Sequence, residues 1–133
     1  MNKKYLGLLT DSAIKARKFS YSPYSKFAVG AALLTQNNKI YTGNNIECAS
    51  YSLSICAERV VFSKAISEGE KKFSAIAISS SKKIFTFPCG ACRQFMYEFG
   101  KDLDVIIVRS KSEFIITKLT ELLPGAFDKQ SLI

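Results

Sequence analysis

The chain has 133 residues, 47% of them hydrophobic, with seven glycines and three prolines. That length buries a sizeable core, and that composition excludes a disordered polymer. Nineteen basic residues against eleven acidic ones leave a formal charge of +8, but the lysines are scattered as short pairs such as Lys3-Lys4, Lys71-Lys72 and Lys82-Lys83, a solvated surface rather than the dense tract of a nucleic-acid binder.

The basic start Met1-Asn2-Lys3-Lys4 leads into an apolar run broken at Gly7, Thr10, Asp11 and Ser12, so no signal-peptide core is expected. No window approaches the roughly 18 apolar residues of a membrane span. A soluble, cytoplasmic protein without a membrane partner is expected, folded as one domain over 1–133.

From Tyr5 to Lys18, Leu8, Leu9, Ala13, Ala16 and Phe19 recur near helical spacing and predict a first helix. Ser20-Tyr21-Ser22-Pro23-Tyr24-Ser25 reads as a turn-rich loop. Phe27 to Leu34 is a continuous apolar run and predicts a buried strand; Asn37-Asn38 turns it, and Lys39 to Gly43 returns as its partner. Asn44 to Ser54 is irregular and polar.

Ile55 to Glu68 predicts a second helix stopped by Gly69, and Ser74 to Ser79 a central strand. Pro88 suits the first turn of a third helix running to Phe99. Asp104 to Val108 predicts another buried strand, Glu113 to Ile116 an edge strand, and Lys118 to Leu123 a short last helix before Pro124-Gly125. Strands alternating with helices imply an α/β protein: a five-stranded mixed sheet between helices, a three-layer α/β/α sandwich.

The chemistry is concentrated in Cys56-Ala57-Glu58-Arg59 and Pro88-Cys89-Gly90-Ala91-Cys92-Arg93. Both fragments sit at predicted helix starts, with the cysteines expected in the first turns. An i, i+3 pair projects two sulfurs from one face, and the positive helix end favours thiolate. Three thiolates make a partial tetrahedron for one Zn²⁺ with the fourth position open, the mark of a catalytic site. There is no histidine, and Cys48 lies in a different loop.

A lone Cys-x-x-Cys more often means redox chemistry or a structural metal. Together with Cys-Ala-Glu upstream it matches the zinc deaminases, whose non-ligand glutamate lies two residues after the first ligand. Glu58 is then the proton shuttle, taking a proton from the attacking water, passing it to ring nitrogen N3 and later protonating the leaving amine. Three thiolates weaken the metal as an acid, and Arg59 donating to a sulfur would restore its strength. Arg93 either assists in the same way or is an ordinary surface residue.

These residues resemble the small homotetrameric cytidine deaminases of pyrimidine salvage, over roughly Ala13 to Phe127. The secondary motifs of the resemblance are Phe27-Ala28-Val29-Gly30-Ala31-Ala32-Leu33, Asn45-Ile46-Glu47, Tyr51 and Leu122-Leu123-Pro124-Gly125-Ala126-Phe127. It implies that Phe27 stacks on the pyrimidine, that Asn45 and Glu47 bond the ribose 3′-hydroxyl, and that backbone around Ala57 holds the base. It also implies that Ala49 and Tyr51 make ribose-side contacts from a neighbouring subunit, and that Phe127 lines a neighbour's pocket in a homotetramer. By composition alone Phe27 and Phe127 read as core aromatics.

Two positions depart from the family pattern: Cys48 stands where asparagine is usual and Val60 where threonine is usual. Cys48 is either a buried small residue or an oxidisable thiol.

The implied reaction is hydrolytic deamination of cytidine and deoxycytidine. Deamination of a related cytosine nucleoside such as blasticidin S is the near alternative, and a nucleic-acid editing protein the distant one. A carboxylate at Glu47 that accepts from a free 3′-hydroxyl argues against a polynucleotide, where that oxygen is esterified and a phosphate charge sits beside it.

Overall fold

The computed structural model describes residues 1–132. Its elements follow the order read from the sequence: α1 (Lys3–Ala16), β1 (Val29–Thr35), β2 (Ile40–Asn44), α2 (Ala57–Ser67), β3 (Phe73–Ser80), α3 (Gly90–Phe99), β4 (Asp104–Ser110), β5 (Glu113–Lys118) and α4 (Leu119–Leu122). Short 3₁₀ turns that periodicity gives no hint of occupy Arg17–Phe19, Tyr51–Leu53 and Lys129–Leu132.

The five strands form one mixed sheet in the order β2-β1-β3-β4-β5. β3 and β4 are parallel, joined by the crossover through α3, and every other pair is antiparallel. All seven residues of β1 are buried because the sheet is covered on both faces, and alternation along the strands separates two cores. Val29, Ala31, Leu33, Ile76, Ile78, Val105 and Ile107 pack with Ala57, Val61 and Phe62 of α2 and Cys92 and Met96 of α3. Ala32, Leu34, Ala75, Ala77, Ile106 and Val108 pack on Leu9 and Ala13 of α1. This is the expected α/β/α layering.

Two glycines set how closely helices approach. A Cβ on Gly30 would lie 2.2 Å from the Ala13 carbonyl oxygen, and one on Gly43 would lie 2.9 Å from the Val61 amide. Each strand lets one helix down onto its own face of the sheet, α1 at Gly30 and α2 at Gly43, and any side chain there would push the layers apart.

Most element ends move by a residue or two, and three of the shifted starts bear on the site. Cys56 and Cys89 are not in the first helical turns but are the N-cap residues of α2 and α3, with extended backbone at ψ 152° and 166°. Cys89 takes that position because its sulfur accepts the Cys92 amide at 3.4 Å, a capping bond that needs non-helical backbone. Pro88 accordingly lies outside α3. Phe27 and Ala28 precede β1 rather than opening it, because the polar groups flanking them are bound by the side chain of Asn45 and by Ser81 instead of a neighbouring strand.

Candidate active site

Two helix starts meet on one side of the sheet. The Cys56 and Cys89 sulfurs lie 3.8 Å apart, Cys89 and Cys92 lie 3.3 Å apart, and all three fall within 4.8 Å of one another. A tetrahedral zinc ion with bonds of about 2.3 Å needs sulfurs about 3.8 Å apart, so the triad fits the ion after adjustments of no more than about 1 Å. No fourth His, Cys, Asp or Glu joins the group among the described residues, which leaves one coordination position for chemistry.

The Cys56 and Cys92 sulfurs share a proton between them. The Cys92 thiol, with Arg59 behind it, draws Cys56 down to about 5 despite partial burial. Cys92 is pushed up, as the partner that keeps its proton beside the Cys56 thiolate and is itself buried. A dication replaces such shared protons as it binds. Arg59 donates to the Cys56 sulfur at 3.7 Å, where the sequence placed it.

Glu58 follows Cys56 by two residues, in the first turn of α2 and 4% exposed. Burial, reinforced by the Cys56 thiolate, pushes its carboxyl up to about 7 against the opposing pull of Arg59. A carboxyl poised there can both take and give a proton near neutrality. Ala57, between ligand and acid, is fully buried.

The irregular stretch 44–54 is pinned beside the metal corner. Ile46 exchanges backbone hydrogen bonds with Ile55, one residue before Cys56, at 3.0 and 2.8 Å, and Tyr21 pairs with it from the other side. This carries Asn45 and Glu47 to the loop 20–27. Glu47 accepts from the Tyr24 and Ser25 amides, both at 3.1 Å, and from the Ser25 hydroxyl. Ser25 holds the Glu47 carboxyl below its ordinary range, its hydroxyl contributing most, then its amide, with Tyr24 and the charge of Lys26 adding to it. Tyr24, Ser25, Glu47, Tyr51 and Ser54 line a cavity of about 250 Å³.

Asn45 spends its carboxamide on the backbone around Ala28. Its nitrogen donates to the Phe27 carbonyl at 2.8 Å, and its oxygen accepts from the Val29 amide at 2.9 Å and from the Ser20 hydroxyl. Among the described residues its second N–H has no partner. The Phe27 ring packs partly against the core shared by α2 and α3, with the Lys82 ammonium 5.3 Å from its centroid.

Of the remaining sequence-derived positions, Ala49 is exposed, and Tyr51 is 73% exposed with its ring against Tyr24. Phe127 is 57% exposed on a segment whose carbonyl accepts from Gln94 of α3 at 2.8 Å. Arg93 corrects both readings given for it. Its guanidinium donates to the Pro88 and Leu122 carbonyls, each at 2.8 Å, so it ties the residue before Cys89 to the C-terminal segment and donates to no sulfur. Cys48 is half-buried with a free thiol.

Ser20, Tyr24, Ser25 and Gln94 escaped the sequence reading. The polar run Ser20 to Ser25 was the available signal, read there only as a turn.

A mixed sheet that brings three thiols together at two helix starts, with a buried acid two residues after the first, defines a class of enzyme: the zinc-dependent hydrolytic deaminases. The comparisons agree. Residues 4–108 match the family model described as the cytidine and deoxycytidylate deaminase zinc-binding region. The chain is 46% identical to a probable cytidine deaminase of Dictyostelium discoideum, an alignment covering all of this chain and 90% of that protein. It is also 46% identical to a cytidine deaminase of Sporosarcina psychrophila, over 89% of this chain and 88% of that one. Among solved structures, a cytidine deaminase from Burkholderia pseudomallei superposes with a TM-score of 0.87 at 41% identity, covering 96% of this chain and all of that one.

The chain belongs to the cytidine and deoxycytidylate deaminase family, and it is a zinc-binding hydrolytic deaminase. No helix among the described residues is long and apolar enough to cross a membrane.

Proposed function

We propose that this enzyme deaminates cytidine and 2′-deoxycytidine to uridine and 2′-deoxyuridine, releasing ammonia, in pyrimidine salvage in the cytoplasm. The observation that carries the reading is the Ile46–Ile55 pairing, which joins the Glu47 carboxylate to the start of the helix bearing Cys56 and Glu58. A base at the thiol cluster and a sugar at Glu47 are thereby parts of one molecule, a nucleoside.

Cys56, Cys89 and Cys92 would hold the zinc ion, one per chain, and the ion would supply the Lewis acidity that lets water act as a nucleophile at neutral pH. Glu58 takes one proton from the water that attacks C4 and places it on N3, then takes the second from the hydroxyl formed on C4 and delivers it to the amine as the C4–N bond breaks and C4=O forms. Arg59 steadies Cys56 as thiolate. Phe27 offers its ring to the pyrimidine, backbone at Ala57 orients the base, and Asn45 and Glu47 bond the 3′-hydroxyl.

Residues 1–133 act as one catalytic domain in this reading; Ile133 lies outside the described residues. The exposure of large apolar side chains at Tyr51, Leu53, Ile55 and Phe127 supports a homotetramer in which Ala49, Tyr51 and Phe127 complete a neighbour's site, since exposed apolar surface favours a protein contact.

The test is ultraviolet monitoring of purified enzyme with cytidine, deoxycytidine, CMP, blasticidin S and single-stranded DNA. Loss of cytosine absorbance with the two nucleosides is expected. Turnover of DNA in the absence of turnover of cytidine overturns the reading.

A further inference from the structure

The peptide units on both sides of Phe27 are fixed by side chains that also belong to the sugar-facing corner. On the carbonyl side, Asn45 accepts from the Val29 amide and donates to the Phe27 oxygen. On the amide side, the Phe27 N–H donates to the Ser25 hydroxyl oxygen at 3.0 Å, and that same hydroxyl donates its proton to Glu47. Ser25 therefore uses one atom to bind two groups. A hydroxyl has one proton to give and lone pairs to accept with, so both bonds coexist.

The chain conformation brings these groups together. Lys26, between Ser25 and Phe27, has φ +60°, a left-handed conformation uncommon outside glycine. It folds the Phe27 amide back over Ser25, and the Lys26 amide closes the turn on the Ser22 carbonyl at 3.0 Å. Ser25 itself is exposed, so apolar packing does not account for its position. Both partners of its hydroxyl lead to the substrate.

We infer that Ser25 is a specificity-determining positioning residue, whose hydroxyl fixes the Glu47 carboxylate relative to the Phe27 ring and so sets how strictly the enzyme demands a sugar 3′-hydroxyl. The inference rests on the reading that Glu47 meets that hydroxyl and Phe27 meets the base. Without the Ser25 proton, Glu47 keeps only two backbone donors and swings within the cavity, while the Phe27 amide loses its acceptor. A base alone still reaches the metal corner; the sugar is no longer held at the right angle to it.

The experiment compares 2′-deoxycytidine with 2′,3′-dideoxycytidine, which differ only in the 3′-hydroxyl, on the zinc-loaded enzyme. The measured quantity is the ratio of their kcat/KM values. In Ser25→Ala the ratio is expected to fall about tenfold, the scale of one hydrogen bond to a charged group, with the change in the KM for deoxycytidine. Ser25→Thr, which keeps the hydroxyl, restores it. Glu47→Gln is the control for the underlying reading.

A ratio lost in Glu47→Gln but intact in Ser25→Ala overturns the role of Ser25 alone. A ratio intact in Glu47→Gln overturns the sugar reading and this inference with it. Equal loss on both substrates in Ser25→Ala, which is what a merely structural residue gives, also overturns it, as does a ratio that stays low in Ser25→Thr.

Discussion

The metal corner and the proposed sugar corner are built by different means. Cys56, Cys89, Cys92 and Glu58 stand at the starts of two helices whose inner faces are locked onto the sheet, and Glu58 and Cys92 are buried. Asn45, Glu47, Tyr24 and Ser25 stand on loops, and Tyr24 and Ser25 are exposed. What holds them is a web of side-chain-to-backbone hydrogen bonds and two isolated strand bridges. The group proposed to move protons sits where the core forbids movement, and the groups proposed to choose the substrate sit where a few polar bonds can be rearranged. Substitutions in the first region should act on kcat or on the metal, and those in the second on KM.

The sharpest way to break that comparison is Glu58→Gln. The amide keeps the shape of the carboxyl but neither takes nor gives a proton at neutral pH. Turnover is expected to fall by about 10²–10⁴, the usual contribution of a general acid–base group, while zinc content stays near one ion per chain. Retained turnover removes Glu58 from the mechanism, and lost zinc makes it a structural partner of the metal. Either result dissolves the distinction between ligand and shuttle.

A smaller effect is expected at Arg59, which touches a ligand and not the substrate. Its guanidinium donates to the Cys56 sulfur, while its Nε is buried without a partner among the described residues, a cost that attraction to the thiolate helps to offset. Arg59→Gln should lower zinc affinity or kcat by about 10–100-fold, as removal of an outer-shell partner does, with KM for the nucleoside little changed. Zinc titration against a competing chelator, paired with steady-state kinetics, separates the two. A change confined to KM places Arg59 with the sugar corner instead.

The same division explains what the sequence could disclose. Helices and strands were legible because burial shapes the pattern: β1 is buried at every position, apolar from Val29 to Leu34 apart from Gly30, and α2 carries its stripe at Ala57, Val61 and Ala65. The metal corner was legible because ligand spacing along a helix is local. Even there the N-cap placement of Cys56 and Cys89 was missed, since a cysteine that caps a helix looks the same in sequence as one a residue further in. The sugar corner depends on partners far apart in the chain. Glu47 meets Tyr24 and Ser25 across 23 and 22 positions, and Arg93 meets Leu122 across 29. No local pattern marks such pairs, so Ser25 reads as a turn residue and Arg93 as either a helper of Arg59 or an ordinary surface residue.

The smallest expected effect is one of pH, and it probes the loop directly. The Ser25 hydroxyl, its amide, the Tyr24 amide and the Lys26 charge all favour the ionised form of Glu47 and outweigh its partial desolvation, so its pKa lies below the ordinary 4.5. A depressed carboxylate pKa means that the charged acceptor is present above the ordinary value and is lost only as pH falls through the depressed one. KM for deoxycytidine should therefore be flat from about pH 7 to about pH 5, a range in which an undisturbed glutamate stays mostly ionised but begins to protonate. In Ser25→Ala the largest of the favouring contacts is gone, and the rise in KM should begin at higher pH than in the wild type. Zinc content must be measured at each pH, because protonation of the thiols acts on kcat and on the metal and leaves a different signature. A wild-type KM that climbs well above pH 5 with zinc still bound would mean that the Ser25 and Tyr24 contacts do not persist in solution, and the sugar corner would then be no more ordered than the loops that carry it.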